Sequence, residues 1–318
     1  AWEAVSSSTV DFEYQGTTPI NTAGRDGINI VTFVDDSGLG ALLGTTTLAA
    51  TFSFFNSVGG TLVFEEADIA FNPAFGMTTS GGTDRFDIQG VLTHEIGHFI
   101  GLDHSGLISS VMAPFAIKDQ SDQRTLLYDD IAGVTEIYPD FNSFSNTGLI
   151  QGTVTSNGAE VFGAHVVAMD SNGTVVTSTM SARDGGYTIR FLPAGTYRVY
   201  AEPLDRPVSA AFLSGFYADL SVDFGTTYFG DTEVLVDATA LTVSPAGVAG
   251  GADIHVVSVP IFDFNLTRPV FAPRIGRGSS DTVRVGGVNV VAGASFSMST
   301  SLVRFDSVTF GGRLSTTA

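Results

Sequence analysis

The stretch His94-Glu95-Ile96-Gly97-His98-Phe99-Ile100-Gly101-Leu102-Asp103-His104 holds three of the chain's five histidines within eleven residues. Ile88, Leu92, Ile96 and Phe99 recur at helical intervals, and on a wheel of about 100° per residue they fall within a stripe about 80° wide. The spacing predicts a helix with one buried face. His94 and His98 lie about 40° apart on the opposite side of that wheel, so their imidazoles are neighbours pointing away from the core. Two imidazoles so placed can bind one zinc ion, and a third from His104 would complete three protein ligands, leaving the fourth position to water. For His104 to return to the metal the helix has to end near Gly101, because glycine tolerates the left-handed backbone that such a stop needs. Glu95 adjoins the first ligand without being needed as one, which places it as a general base whose proton later goes to a leaving amine. The bland alternative is a pair of surface histidines on an amphipathic helix. Gly101 and His104 at these offsets weigh against it.

Composition bounds the rest. The 318 residues are enough for two or three domains, and only 15% of them are charged, while 37 glycines and 25 phenylalanines beside many Val and Thr point to strands and tight turns. An all-helical fold is excluded, and so is disorder, since 43% of residues are hydrophobic. No window reaches the roughly 18 uninterrupted apolar residues of a membrane helix. Dispersed acids give a net charge of -19, which would repel a phosphate backbone and argues against nucleic acid as a partner. Without cysteine there is no disulfide, thiol nucleophile or thiolate metal site, so His, Asp and Glu must supply any ligands. The N-terminal residues Ala1 to Val5 show no basic region followed by an apolar run, so a secretion signal is either absent or already removed.

Up to Pro139, strand-like runs (Ile28 to Val34, Thr46 to Phe54, Thr61 to Phe71) precede the histidine helix, and a second helix is expected from Asp129 to Tyr138 before Pro139 stops it. The polar stretch from Asp140 to Gly148 reads as a linker. From Leu149 to Pro203 short alternating strands are separated by Asn157-Gly158, Asn172-Gly173, Asp184-Gly185-Gly186 and Pro193-Ala194-Gly195, the spacing of a small β-sandwich. Arg206 to Ala240 reads as a long irregular insertion and Leu241 to Val257 as a returning edge strand. A further set of strands begins after Arg268.

The first domain resembles the metzincin metallopeptidases, and among them the matrixins. The resemblance rests on the eleven-residue motif, Ser105 after it, Ser109-Ser110-Val111-Met112-Ala113-Pro114 as a Met-turn, and Tyr128-Asp129-Asp130-Ile131-Ala132-Gly133-Val134 as the start of a last helix. It implies an α+β fold, a metzincin catalytic domain with a twisted mixed sheet and a zinc-binding helix, followed by all-β sandwich modules. His94, His98 and His104 would hold one catalytic zinc, Glu95 would be the catalytic base, and Gly101, Met112, Asp129 and Asp130 would shape the site. Met112 would lie beneath the metal. Asp129 and Asp130 would either support the Met-turn or serve as plain helix N-terminal acids. Trp2 to Val5 resembles the end of a first helix, so residues 1–139 are expected to form an N-terminally incomplete peptidase domain.

Departures from the matrixin pattern matter too. The histidines of the family's second, structural zinc correspond to Ala50 and Ala70, and the Pro-x-Tyr wall beside the specificity pocket reads Pro114-Phe115-Ala116. One zinc per chain is therefore expected. Asp35, Asp36, Glu65, Glu66 and Asp68 could contribute to a Ca²⁺ site such as the family has, or form a solvated acidic surface. Residues 148–259 resemble a carboxypeptidase regulatory-like, transthyretin-like β-sandwich, with His165 and His255 as strand residues, and 268–318 a partial immunoglobulin-like module. The resulting expectation is a secreted zinc endopeptidase of extracellular proteins. It would bind protein or peptide in extended form along Thr46 to Phe54 and would not need its sandwich for chemistry. The alternative is a non-catalytic adhesion or matrix-binding protein with a vestigial peptidase domain.

Overall fold

The computed structural model describes residues 1–33, 43–141, 146–205, 207–258, 264–266 and 285–287. Among the described residues it is mostly sheet, with α-helices at Ile88–Phe99 and Tyr128–Ile137 and several short 3-10 turns. β1 (Val31–Thr32) runs parallel to β3 (Thr61–Phe71), which pairs antiparallel with β2 (Ala49–Val58), so the front sheet is mixed, in the order β1-β3-β2. Among the described residues β2 therefore lies at an edge. Two short parallel strands, β4 (Met77–Thr78) and β5 (Phe86–Asp87), lead into helix α1 (Ile88–Phe99). Asp87 caps α1 by accepting the Gly90 N–H at 2.7 Å, and is itself paired with Arg124. Helix α2 (Tyr128–Ile137) begins with Asp130 accepting the Leu127 N–H at 2.8 Å, a cap made from one side only.

α1 is enclosed more fully than its periodicity implies. Val91, Thr93, Glu95, Gly97 and Ile100 are all buried, on several sides of the helix. One hydrophobic cluster (Ala49, Ile69, Phe71, Val91) covers it from the sheet and another (Trp2, Val5, Ile100, Val111, Met112, Val134) from the opposite side, with Ile96 and Phe99 packed against both. Trp2 reaches from the N-terminus to donate its indole N–H to the Thr93 carbonyl at 2.8 Å. The expectation of a single buried face fails because Trp2 and the Met112 turn are remote in sequence from α1. Local spacing carries no record of them.

The second half of the same unit is a two-sheet β-sandwich. Its strands are β6 (Thr147–Ser156), β7 (Ala159–Glu160), β8 (His165–Asp170), β9 (Val175–Met180), β10 (Gly186–Pro193), β11 (Gly195–Glu202), β12 (Thr227–Tyr228), β13 (Leu241–Val243), β14 (Val248–Ala249) and β15 (Ile254–His255). One sheet centres on β6, flanked by β10, β14 and β15; the other has the order β12-β11-β8-β9, with β13 also on β11. Ile150, Val154, Val166, Ile189, Leu192, Val199 and Ile254 fill the space between them. The single returning strand expected from Leu241 to Val257 is instead three short strands divided between both sheets, because the chain crosses from one to the other. The chain divides into units Ala1–Ile261 and Phe262–Ala318. In the latter, β16 (Phe264–Leu266) pairs antiparallel with β17 (Val285–Gly287), and the other strands expected after Arg268 lie outside the described residues.

Gly152 on β6 shows how closely the sandwich is built. A Cβ there would sit 2.1 Å from the Ala252 carbonyl oxygen, a backbone atom that cannot swing aside. Gly152→Ala should cost about 2–3 kcal/mol by overpacking, read as a lower urea midpoint with an unchanged slope. An unchanged midpoint would mean that the Ala252 segment does not cross β6 there.

Candidate metal centre

The backbone at Gly101 has φ +101°, and Gly101 and Leu102 donate back to the His98 and Gly97 carbonyls at 2.9 Å each, closing α1. The turn brings His104 back over the helix. One ring nitrogen from each of His94, His98 and His104 lies within 4.8 Å of the others, and His98 Nε2 and His104 Nε2 are 3.2 Å apart. Two nitrogens on a tetrahedral zinc would be separated by about 3.3 Å, from Zn–N bonds of about 2.0–2.1 Å.

Each imidazole has its other nitrogen occupied. Val111 O accepts from His94 Nδ1 at 2.7 Å, Leu102 O accepts from His98 Nδ1 at 2.8 Å, and Phe212 O accepts from His104 Nδ1. A carbonyl can only accept, so Nδ1 carries the proton in all three rings and the Nε2 lone pairs are left facing one another. Such a donor set fits a cation and has no proton of its own to share. Burial, followed by the neighbouring His98, drives the His94 pKa down to about 3, and burial also lowers that of His98. Both are thus held as neutral imidazole, the form that binds zinc.

Glu95 is buried beside this group. Thr51 Oγ on β2 lies 2.8 Å from Glu95 Oε2 and 2.9 Å from the Glu95 carbonyl oxygen. Burial pushes the carboxyl pKa up to about 7, with the Thr51 hydrogen bond acting the other way. Thr51 belongs to the run read only as a strand; nothing in its sequence context marks it as a carboxylate partner.

Met112 is buried under α1, and a Cβ on Gly97 would lie 2.2 Å from its sulfur, so the helix can rest on Met112 only at a glycine. The turn is held by Asp130, whose carboxylate accepts from Ser110 Oγ and from the Val111 and Met112 N–H groups at 3.0 and 3.1 Å. Asp129 does something else. It accepts from Ser105 Oγ at 2.6 Å and, on its other oxygen, from the Ser178 N–H at 2.9 Å and Thr177 Oγ at 3.0 Å, both on β9 of the sandwich. The two adjacent acids thus separate into a buried support for the turn and a bridge between domains.

Family models match this chain in two places: the matrixin model over residues 32–139, and the carboxypeptidase regulatory-like domain over residues 149–206. The front domain is matrixin-like. Matrilysin of Rattus norvegicus is 43% identical over 60 residues, 19% of this chain and 22% of that protein. Metalloendoproteinase 1-MMP of Arabidopsis thaliana is 44% identical over 52 residues, 16% of this chain and 14% of that one. Metalloendoproteinase 1 of Glycine max is 39% identical over 62 residues, 20% of each. The chain therefore spans about a fifth or less of the length of these relatives. Among solved structures, the TIE protein of Bacillus anthracis matches over 36% of this chain and 18% of that one, with 13% identity and a TM-score of 0.23.

Within the matrixin-like domain, Ala50 and Ala70 stand directly opposite each other on β2 and β3. Phe115, in the Pro114-Phe115-Ala116 segment, meets the ring of Phe212 edge-on at 4.9 Å. The acids considered for calcium are engaged elsewhere. Glu66 accepts the Asp26 and Gly27 N–H groups, Asp68 those of Gly24 and Ile30, and Glu65 pairs with Arg25. Among the described residues they form no cation cage, and Asp35 and Asp36 lie outside those residues. His165 is buried on β8 with Nδ1 3.0 Å from Glu202, and His255 is exposed on β15 beside Asp231.

The perturbed groups give a signed pH dependence in the metal-free protein. Unfolded imidazoles with a pKa near 6.5 take up protons that folded His94 and His98 refuse, so their contribution to stability is lost as pH falls below about 6.5. Glu95, raised from 4.5 to about 7, opposes this by gaining its proton earlier when folded. Removing it should expose the histidine effect: the melting temperature of metal-free Glu95→Gln should fall more steeply from pH 7 to 5 than that of wild type. Parallel curves would refute the assignment.

Proposed function

We propose that this chain is a zinc-dependent metalloendopeptidase of matrixin type that acts outside the cell on extracellular proteins. Residues 1–139 would form the peptidase domain, 148–259 a carboxypeptidase regulatory-like sandwich and 268–318 part of an immunoglobulin-like module. The observation that carries the reading is the convergence of three imidazoles, each with Nδ1 tied to a carbonyl, beside the buried Glu95. His94, His98 and His104 would hold zinc. When bound, zinc supplies Lewis acidity toward a water and toward the carbonyl of the bond to be cut.

Glu95 takes the proton of the attacking water and passes it to the leaving amine, with Thr51 holding its carboxylate in place between the two steps. Substrate lies extended along β2, whose edge position leaves a row of backbone groups available for pairing with another strand. Met112 forms the floor under His94 and His98, and Asp130 keeps both that floor and the Val111 carbonyl in register.

The deciding experiment is Glu95→Gln. Cleavage of an unfolded protein should fall at least about 10²-fold while zinc stays bound, since glutamine keeps the volume and the Thr51 contact. Wild-type turnover in the variant would remove the proposed base. Zinc retained by a wild-type chain that cleaves nothing would favour the adhesion alternative.

Metal content supplies an independent check. With Ala50 and Ala70 in place of ligands and the nearby carboxylates committed to backbone N–H groups, one zinc per chain should survive dialysis against a weak chelator. Two would mean a second site that the strand register does not provide.

A further inference from the structure

His104 differs from the other two histidines in where its support comes from. Val111 and Leu102, which hold His94 and His98, belong to the front domain, whereas Phe212 lies beyond β11, in the inserted segment of the sandwich. The contact is not isolated. Asp103 accepts the N–H of His104 at 2.8 Å on one carboxylate oxygen and the N–H of Ser214 at 2.8 Å on the other, clamping the ligand's own backbone to the same segment. The Phe212 ring rests on Phe115. On the far side of His104, Ser105 reaches β9 through Asp129.

The segment is itself anchored to the sandwich. Arg183 forms a two-pronged pair with Asp219, at 3.0 Å for each bond, and its guanidinium stacks 4.1 Å over the Phe162 ring; Ser221 donates its N–H to the Phe162 carbonyl at 2.9 Å. The segment that carries Phe212 is therefore tied to the sandwich at one end while its 212–214 stretch meets the peptidase domain.

We propose that residues 210–214 are a positioning element for the third metal ligand. The Phe212 carbonyl fixes the tautomer and ring plane of His104, so the metal centre reaches full affinity only when the sandwich is docked. The proposal rests on the zinc reading above. It also reverses the expectation that the sandwich is dispensable: the residues that ligate all precede Pro139, but the group that aims one of them does not. Partners of this kind are typically worth about 10–100-fold in metal affinity.

Ser214→Pro in the full chain isolates the clamp. Ser214 has φ -57° and Leu213 lies at φ -97°, ψ 168°, so proline fits both its own position and the residue before it and removes only the N–H that Asp103 accepts. Zinc affinity, measured by competition with a chelating dye, should weaken about 10-fold or more. The visible absorption of the Co²⁺-substituted protein should shift, which a loss of packing distant from the metal would not cause. Phe212→Ala, which keeps the carbonyl but removes the ring that meets Phe115 edge-on, should move both readouts the same way and serves if the proline variant does not fold. Unchanged affinity and spectrum in a folded variant would overturn the inference alone. A wild-type chain that binds no zinc would overturn the metallopeptidase reading and this inference with it.

Discussion

Three imidazole lone pairs that face one another repel, and most of the front domain can be understood as what is needed to hold them there. Burial holds His94 and His98 neutral, and all three rings present the same nitrogen because the other is tied to a carbonyl. Those carbonyls come from three different places. Val111 comes from the turn that Asp130 organises, Leu102 from the chain just past the Gly101 stop, and Phe212 from another domain. Folding thus stores an unfavourable electrostatic arrangement that a cation would relieve, and the apolar clusters on both sides of α1 supply the burial that makes it affordable.

The same economy governs the acids. A chain with net charge -19 and few cations to offset it has to place buried carboxylates where backbone N–H groups can satisfy them. Asp130, Glu66 and Asp68 all follow this rule, each accepting at least two N–H groups from a loop. Each thereby fixes a segment that has no regular secondary structure. Glu66 and Asp68 shape residues 24–30 beside β3, and Asp130 shapes the Met112 turn. Carboxylates that resemble cation ligands in sequence are here the means of ordering loops.

Legibility in the sequence followed the distance over which each interaction acts. The histidine spacing, the Gly101 stop and the start of α2 are encoded within a dozen residues, and the structure brings those residues together. β3 was readable from end to end because Thr61 to Phe64 and Ile69 to Phe71 bracket the acids Glu65, Glu66 and Asp68 with apolar and β-branched residues. The run from Ile28 to Val34 gives only the two paired residues of β1 among those described, since the Ile30 N–H goes to Asp68 rather than to a strand. Thr51 under Glu95, Trp2 against Thr93 and Phe212 on His104 are separated from their partners by 44, 91 and 108 positions, and no local pattern distinguishes them from ordinary strand, helix or loop residues. Whether Asp129 or Asp130 supports the turn was equally hidden: both suit a helix N-terminus, and only the placement of β9 separates them.

The bridge through Asp129 gives the domain arrangement a physical reading. Ser105 and Asp103 flank His104 on both sides, and each is connected through a carboxylate to the sandwich, by Asp129 to β9 and by Asp103 itself to Ser214. Both residues that adjoin His104 are thus tied to the sandwich, Ser105 through the half-buried Asp129 and Asp103 through an exposed bond to Ser214. Tyr128, at the first position of α2, adds a third connection by donating to the Phe191 carbonyl on β10 at 2.6 Å. Because α2 also carries Asp130, a displacement of the sandwich would act on the Met112 turn through the helix as well as on His104 directly. The two routes end on different imidazoles, His94 through Val111 and His104 through Phe212, so the geometry of the centre depends on how the two domains meet.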